Sequence, residues 1–175
     1  MLDFALAQSG PVALRYPRDE APAAQAPVEP VERGRGLLLR DGRDVALVAY
    51  GTMVPVAMAA AQALAEQGVE AAVVNARFAK PVDTALLARV LSRRRLLVTL
   101  EEHAVSGGFG SAVLEALAAA GVTTPPALLI GAPDRFVEHG SRGVLLERLG
   151  LTPRGVVVRI LRAIGSPVLQ PASGR

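Results

Sequence analysis

The 175-residue chain has no cysteine and no tryptophan, and only two histidines, two tyrosines and four phenylalanines. Without cysteine there are no disulfides, thiolate zinc sites or cysteine nucleophiles. Aromatic residues make up 3% of the chain, which leaves little surface for stacking bases. The excess of 19 basic over 16 acidic residues, a formal charge of +3, therefore does not imply nucleic-acid binding. No apolar run approaches the ~20 residues of a membrane span. The opening Met1-Leu2-Asp3-Phe4-Ala5-Leu6-Ala7-Gln8 lacks the basic start and long apolar core of a signal peptide. These absences predict a soluble, cytoplasmic protein with neither a nucleic-acid nor a membrane partner.

What the chain does have is apolar content, 51% of its residues, enough to bury one sizeable core. Residues 2–8 read as the end of a helix, and Val12 to Tyr16 as a short strand stopped by Pro17. From Pro17 to about Arg33 the composition, rich in Pro, Ala and acidic residues without an apolar period, is that of an extended linker. Beyond it, strands alternate with helices, as in a mainly parallel sheet covered on both faces.

Val45 to Tyr50, Val69 to Asn75, Leu96 to Leu100 and Ala127 to Ile130 read as the core strands, and Ala71 to Val74 in the second is too continuously apolar to have a solvent face. Leu37-Leu38-Leu39, set off by Gly42, reads as an antiparallel edge strand. Thr52 is placed to cap a helix carrying Val56, Ala60 and Leu64 on one stripe and ended by Gly68. Further helices are expected from Pro81 and Asp83 through Leu91, from Phe109 to Ala120, from Gly143 to Leu149 and from Pro153 to Ile164. The fold class is α/β, a three-layer αβα sandwich with a mainly parallel five-stranded sheet plus one antiparallel edge strand. Arg93-Arg94-Arg95 reads as a solvated helix end, where cations suit the macrodipole.

Three stretches carry candidate chemistry. Glu101-Glu102-His103, followed by Gly107, Gly108 and Gly110, falls at a strand end and helix start, where open α/β sheets place ligands. Amides of such a helix start can cradle an anion, yet neither G-x-G-x-x-G nor Gly-Lys-Ser/Thr is present. Glycines that allow a tight turn and close packing are the simpler account. Adjacent strand residues face opposite ways, so Glu101 and Glu102 reach one centre only if the strand has already ended. His139 is an isolated loop histidine, and no His-x-x-x-His pair or carboxylate cluster supports a metal site. Arg15-Tyr16-Pro17-Arg18 is the third stretch: two guanidinium forks suit a phosphate, or they pair with Asp19, Glu20 or a partner chain.

Gly10 to Arg18, Ala49-Tyr50-Gly51-Thr52, Val74 to Asp83, Glu101-Glu102-His103 and Gly107 to Ser111 together resemble, in order and spacing, the last third of the 1-deoxy-D-xylulose-5-phosphate synthase family of the transketolase superfamily. The resemblance covers residues 1–164, although the Glu-Glu and Gly-Gly segment alone is shared with 2-oxoacid dehydrogenase beta subunits. It implies a transferase that condenses pyruvate with glyceraldehyde 3-phosphate, with loss of carbon dioxide, using thiamine diphosphate and Mg2+ held between an amino-terminal and a middle domain. Residues 1–20 are then a remnant of that middle, pyrimidine-binding domain. Residues 21–34 are the linker, 35–165 the transketolase-type C-terminal domain that supports a homodimer, and 166–175 a tail.

The resemblance also implies that the first domain and most of the middle one are missing, since Met1 matches internal sequence of the family. No catalytic residue, no metal site and no cofactor bound by this chain alone are then expected. Arg15 matches the family arginine that holds the acceptor phosphate, with Arg18 a weaker second, though Asp19-Glu20 stands where the family has Gly after the second arginine. Glu101, Glu102, His103, Gly107, Gly108 and Gly110 become an interface or active-site edge. The alternatives are a stand-alone dimerisation or interaction domain, and the corresponding domain of a 2-oxoacid dehydrogenase beta subunit, against which the Arg-Tyr-Pro-Arg stretch argues.

Overall fold

A computed structural model describes residues 1–12 and 29–165. All but the first residue of the expected strand from Val12 to Tyr16, most of the linker and the tail therefore lie outside the described residues, as do Arg15 and Arg18. After a short helix α1 (Leu2–Leu6) come β1 (Leu37–Arg40), β2 (Val45–Ala49), α2 (Met53–Ala65), β3 (Ala71–Asn75), α3 (Thr84–Leu91) and β4 (Leu96–Ala104). The chain continues through α4 (Phe109–Ala119), β5 (Ala127–Ala132), α5 (Arg142–Arg148) and α6 (Pro153–Ala163). No helix among them is long and apolar enough to cross a membrane.

The sheet runs β1-β3-β2-β4-β5, with β1 antiparallel to β3 and every other pair parallel. The antiparallel edge strand is thus one of five strands in all. The continuous apolar runs follow from its two covered faces. On β2, Val45, Leu47 and Ala49 enter the core beneath α2 and α6, while Ala46 and Val48 enter the core beneath α3 and α4. Each fully buried Val or Leu contributes about 1.5–3 kcal/mol. Because β2 is buried along its whole length, it anchors the sheet.

Helix starts match the expected positions. Asp83 accepts a hydrogen bond from the Leu86 amide at 2.9 Å and so caps α3, a contribution of about 1 kcal/mol. Thr152 caps α6 through Gly155 N at 3.3 Å, with Pro153 in the first turn. Of the three arginines after α3, Arg93 and Arg95 are exposed, whereas Arg94 pairs with Asp41 at 2.9 Å. The largest departure from expectation is β4, which runs four residues beyond Leu100. Its polar end, Glu101-Glu102-His103, hides that continuation from an apolar count.

Candidate functional site: the carboxyl ends of β2 and β4

β2 leads into α2 on one face of the sheet, and its neighbour β4 leads into α4 on the other. Their carboxyl ends therefore flank a topological switch point, where open α/β sheets carry ligand crevices. Gly51, at φ +58°, supplies the left-handed turn out of β2. Tyr50, just after β2, stacks on Phe109, the first residue of α4, with centroids 5.2 Å apart and planes 20° from parallel.

Strand parity decides where the acidic pair goes. Leu97 enters the core on the α4 side and Leu100 the core on the α2 side, so odd and even positions diverge as far as the strand persists. Glu101 accordingly turns under α4 and Glu102 turns toward α2. The structure does not bring the two carboxylates together.

Glu101 is 1% exposed, and its carboxylate is taken up inside the chain. Oε2 accepts from Phe109 N at 2.6 Å and Oε1 from Gly110 N at 2.8 Å. A buried anion on two amides of a helix start has both hydrogen-bonding and dipole support. The anion that the Gly-rich turn cradles is thus a side chain of the protein itself. Gly108 and Gly110 allow this closeness: a Cβ on Gly108 would overlap Ala104 O and Glu101 Oε2, and one on Gly110 would overlap Thr99 Oγ1. Beneath Gly110, that Thr99 hydroxyl is buried without a hydrogen-bond partner. Gly107 is exposed at φ +68° with open space around it, so its role is the turn alone.

Glu102 stays near the surface and gathers two other elements. Thr52 Oγ1 donates to its Oε2 at 2.7 Å. Arg142, the first residue of α5, donates from Nε to Oε1 at 2.8 Å and from Nη2 to Oε2 at 2.6 Å. The Arg142 hydrogen bond holds the Glu102 carboxyl below its ordinary value; partial burial opposes this, and the Thr52 hydroxyl and the Arg142 charge add to the lowering. Thr52 does stand at the start of α2, as expected, yet its hydroxyl serves Glu102 instead of capping the helix. His103 is exposed, with Nδ1 3.2 Å from Ala104 O.

The Thr52–Glu102–Arg142 cluster has no signature in the sequence. Parity places Glu102 on the α2 side, but nothing in the local pattern announces Arg142, forty residues away. Among the described residues no three His, Cys, Asp or Glu side chains converge to hold a metal ion.

Residues 34–156 match the family model described as the transketolase C-terminal domain. The chain belongs to that family. As a transketolase C-terminal domain it is similar to 1-deoxy-D-xylulose-5-phosphate synthases. That of Desulforudis audaxviator is 46% identical over 159 residues, 90% of this chain and 25% of the relative. That of Gloeobacter violaceus is 48% identical over 166 residues, 93% of this chain and 26% of the relative. The chain thus spans about a quarter of the length of these curated relatives.

Solved structures agree on the fold of the transketolase C-terminal domain. A split-gene transketolase, described as an inactive beta4 tetramer, matches with a TM-score of 0.77 and 38% identity over 85% of this chain and 48% of that one. The transketolase of Campylobacter jejuni matches with a TM-score of 0.58 at 21% identity, over 80% of this chain and 20% of that one, a likeness of fold alone.

Proposed function

We propose that this chain is the C-terminal part of a thiamine-diphosphate-dependent, cytoplasmic transferase that condenses pyruvate with glyceraldehyde 3-phosphate into 1-deoxy-D-xylulose 5-phosphate and carbon dioxide, an isoprenoid-precursor reaction. The observation that carries the reading is the 48% identity, over 93% of the chain, to a synthase of that name. Catalysis then belongs to the part of the relatives that this chain does not span, and the chain alone is inactive.

Thiamine diphosphate, when bound, supplies a centre that stabilises a donor-derived carbanion. The described residues do not fit it. The amides best placed for a diphosphate, on Phe109 and Gly110, are occupied by Glu101, and no carboxylate group converges for Mg2+ among them. The cofactor and the ion are assigned to the two preceding domains.

Within this reading Arg15 holds the phosphate of the acceptor aldehyde through its guanidinium fork, with Arg18 assisting. The test is to co-express the chain with the first two domains of a curated relative and follow product formation. Substituting Arg15→Ala is expected to raise KM for glyceraldehyde 3-phosphate by about tenfold or more while leaving that for pyruvate unchanged. Equal effects on both substrates overturn the role of Arg15; no product from the unsubstituted complex overturns the synthase reading.

A second reading, self-assembly, is favoured by exposed apolar side chains that follow β5. Phe136 is fully exposed, and Val137 and Val144 are exposed near it in sequence, on the loop and helix after β5. These apolar side chains, close together in sequence, offer a surface to a second copy of the chain, and the split-gene neighbour is described as a beta4 tetramer. The expected state is a homodimer by light scattering, shifted toward monomer by Phe136→Ser at unchanged melting temperature. A monomer at every concentration overturns this reading.

A further inference from the structure

The stretch Asn75-Ala76-Arg77-Phe78-Ala79-Lys80-Pro81-Val82-Asp83, between β3 and α3, has no part in the site above, yet four separate contacts converge on it. Phe4 of α1 meets Phe78 edge to face, with centroids 5.9 Å apart and planes 72° apart. Arg77 donates from Nη1 to Pro30 O at 3.1 Å and from Nη2 to Glu29 O at 3.3 Å. Gly34, at φ +71°, lies so close to Pro81 that an added Cβ would stand 2.7 Å from Pro81 Cγ. Gly36 N donates to Asp83 Oδ2 at 3.1 Å.

Arg77 holds the left-handed conformation, φ +57°, which a residue with a Cβ rarely adopts. Its own amide donates to Asn75 Oδ1 at 3.0 Å, a contact that closes the turn. A planar fork spans two successive carbonyls, as a lysine ammonium does not. A disfavoured backbone kept in place by its surroundings points to a task for the side chain it presents.

We propose that residues 75–83 form a docking surface for the chain that enters this domain. Its partner is a short helix presenting an aromatic ring, together with an extended segment presenting consecutive backbone carbonyls and then glycines. Here residues 1–6 and 29–36 supply both. Asp83 links this surface to the interior: Oδ2 holds Gly36 while Oδ1 caps α3 at Leu86 N, 2.9 Å away. The placement of the incoming chain is thereby fixed to the helical layer over β3 and β4. This inference stands independently of which reaction the complete protein performs.

The test uses this chain and site-resolved limited proteolysis. Arg77→Gly removes the fork while tolerating the positive φ, so the turn is preserved. It is expected to speed trypsin cleavage after Arg33 and Arg35 about tenfold, the signature of local opening without global unfolding. Phe78→Ala is expected to speed chymotrypsin cleavage after Phe4 by a similar factor. Arg77→Lys should behave as Arg77→Gly does, because one ammonium cannot replace the fork. Melting temperature serves as the control for the sheet. An unchanged cleavage rate at either site in a variant that melts like the parent overturns the shared docking surface. Full restoration by Arg77→Lys overturns the fork.

Discussion

Arg142 grips Glu102 with a two-pronged hydrogen bond, Nε to Oε1 at 2.8 Å and Nη2 to Oε2 at 2.6 Å. Nothing in α5 is fully buried; this pair, with the partly buried Leu146 and the adjoining Leu149, helps hold the helix against the sheet. Glu102 also receives the Thr52 hydroxyl, so one carboxylate ties together β4, α2 and α5.

Acid should loosen that tie. The Arg142 hydrogen bond places the Glu102 carboxyl below its ordinary value in the folded chain. Its stabilising contribution is therefore complete above the unfolded carboxylate range and is lost as pH falls through the lowered value. The side chains are about a third exposed, at 38% for Arg142 and 32% for Glu102. Discounted for solvent screening, the contribution is about 0.5–1 kcal/mol. Amide exchange of Val144 and Leu145 is expected to quicken on acidification, and Glu102→Gln should quicken it at neutral pH. The exchange of β2 should not respond.

The inner carboxylate behaves differently. Glu101→Gln would set an NH2 group against one of the two amides that the carboxylate now accepts from. A loss of about 2–3 kcal/mol is expected, from a buried donor left without an acceptor and the lost charge–dipole contact. Denaturant unfolding measures it. A loss no larger than that of Glu102→Gln would show that burial adds nothing to the carboxylate's hold at this corner.

Much of this arrangement is legible in the order of the amino acids. The runs at Val45, Ala71, Leu96 and Ala127 read as strands because a sheet covered on both sides leaves no polar face to interrupt them. Leu37 to Leu39 stands out because the pattern preceding the first parallel strand is short and set off by Gly42. The divergence of Glu101 and Glu102 follows from strand parity. What escapes such reading are relationships with no local signature. The hydroxyl of Thr52 has the position of a helix cap and instead reaches a carboxylate fifty residues on. The continuation of β4 past Leu100 is polar, so apolarity cannot report it; backbone pairing of Ala104 with Ala132 does.

Glycines at the α4 start should separate by surroundings. Gly108→Ala would drive a Cβ into Ala104 O and the Glu101 carboxylate, and Gly110→Ala into Thr99 Oγ1. Each is expected to cost about 3 kcal/mol or more, beyond ordinary overpacking. Gly143 lies within α5 with open space around its Cβ position and an ordinary φ. Gly143→Ala should therefore stabilise by about 0.5–1 kcal/mol, through helix propensity and a less flexible unfolded chain. Thermal melts of the three variants give the comparison.

Arg159 supplies a fourth expectation. Leu97 N bonds to Pro126 O, so by alternation Leu129 O on the edge strand β5 faces away from β4. Arg159 Nη2 donates to that carbonyl at 3.1 Å. Partial burial lowers the pKa of this guanidinium, a cost accepted to cover an exposed strand edge. Arg159→Met keeps the apolar stem and uncovers the edge. Concentration-dependent light scattering is expected to rise, with little change in unfolding midpoint.

The sealing of Glu101 beneath α4 gives the sheet end an uneven character. On one face of the sheet, strand, turn and helix are joined by a carboxylate that solvent does not reach. On the other face, α5 is held in part by a surface ion pair that acid or salt can weaken. Two carboxylates one residue apart thus have different duties: the inner one fixes a turn, and the outer one makes the seating of a helix responsive to conditions.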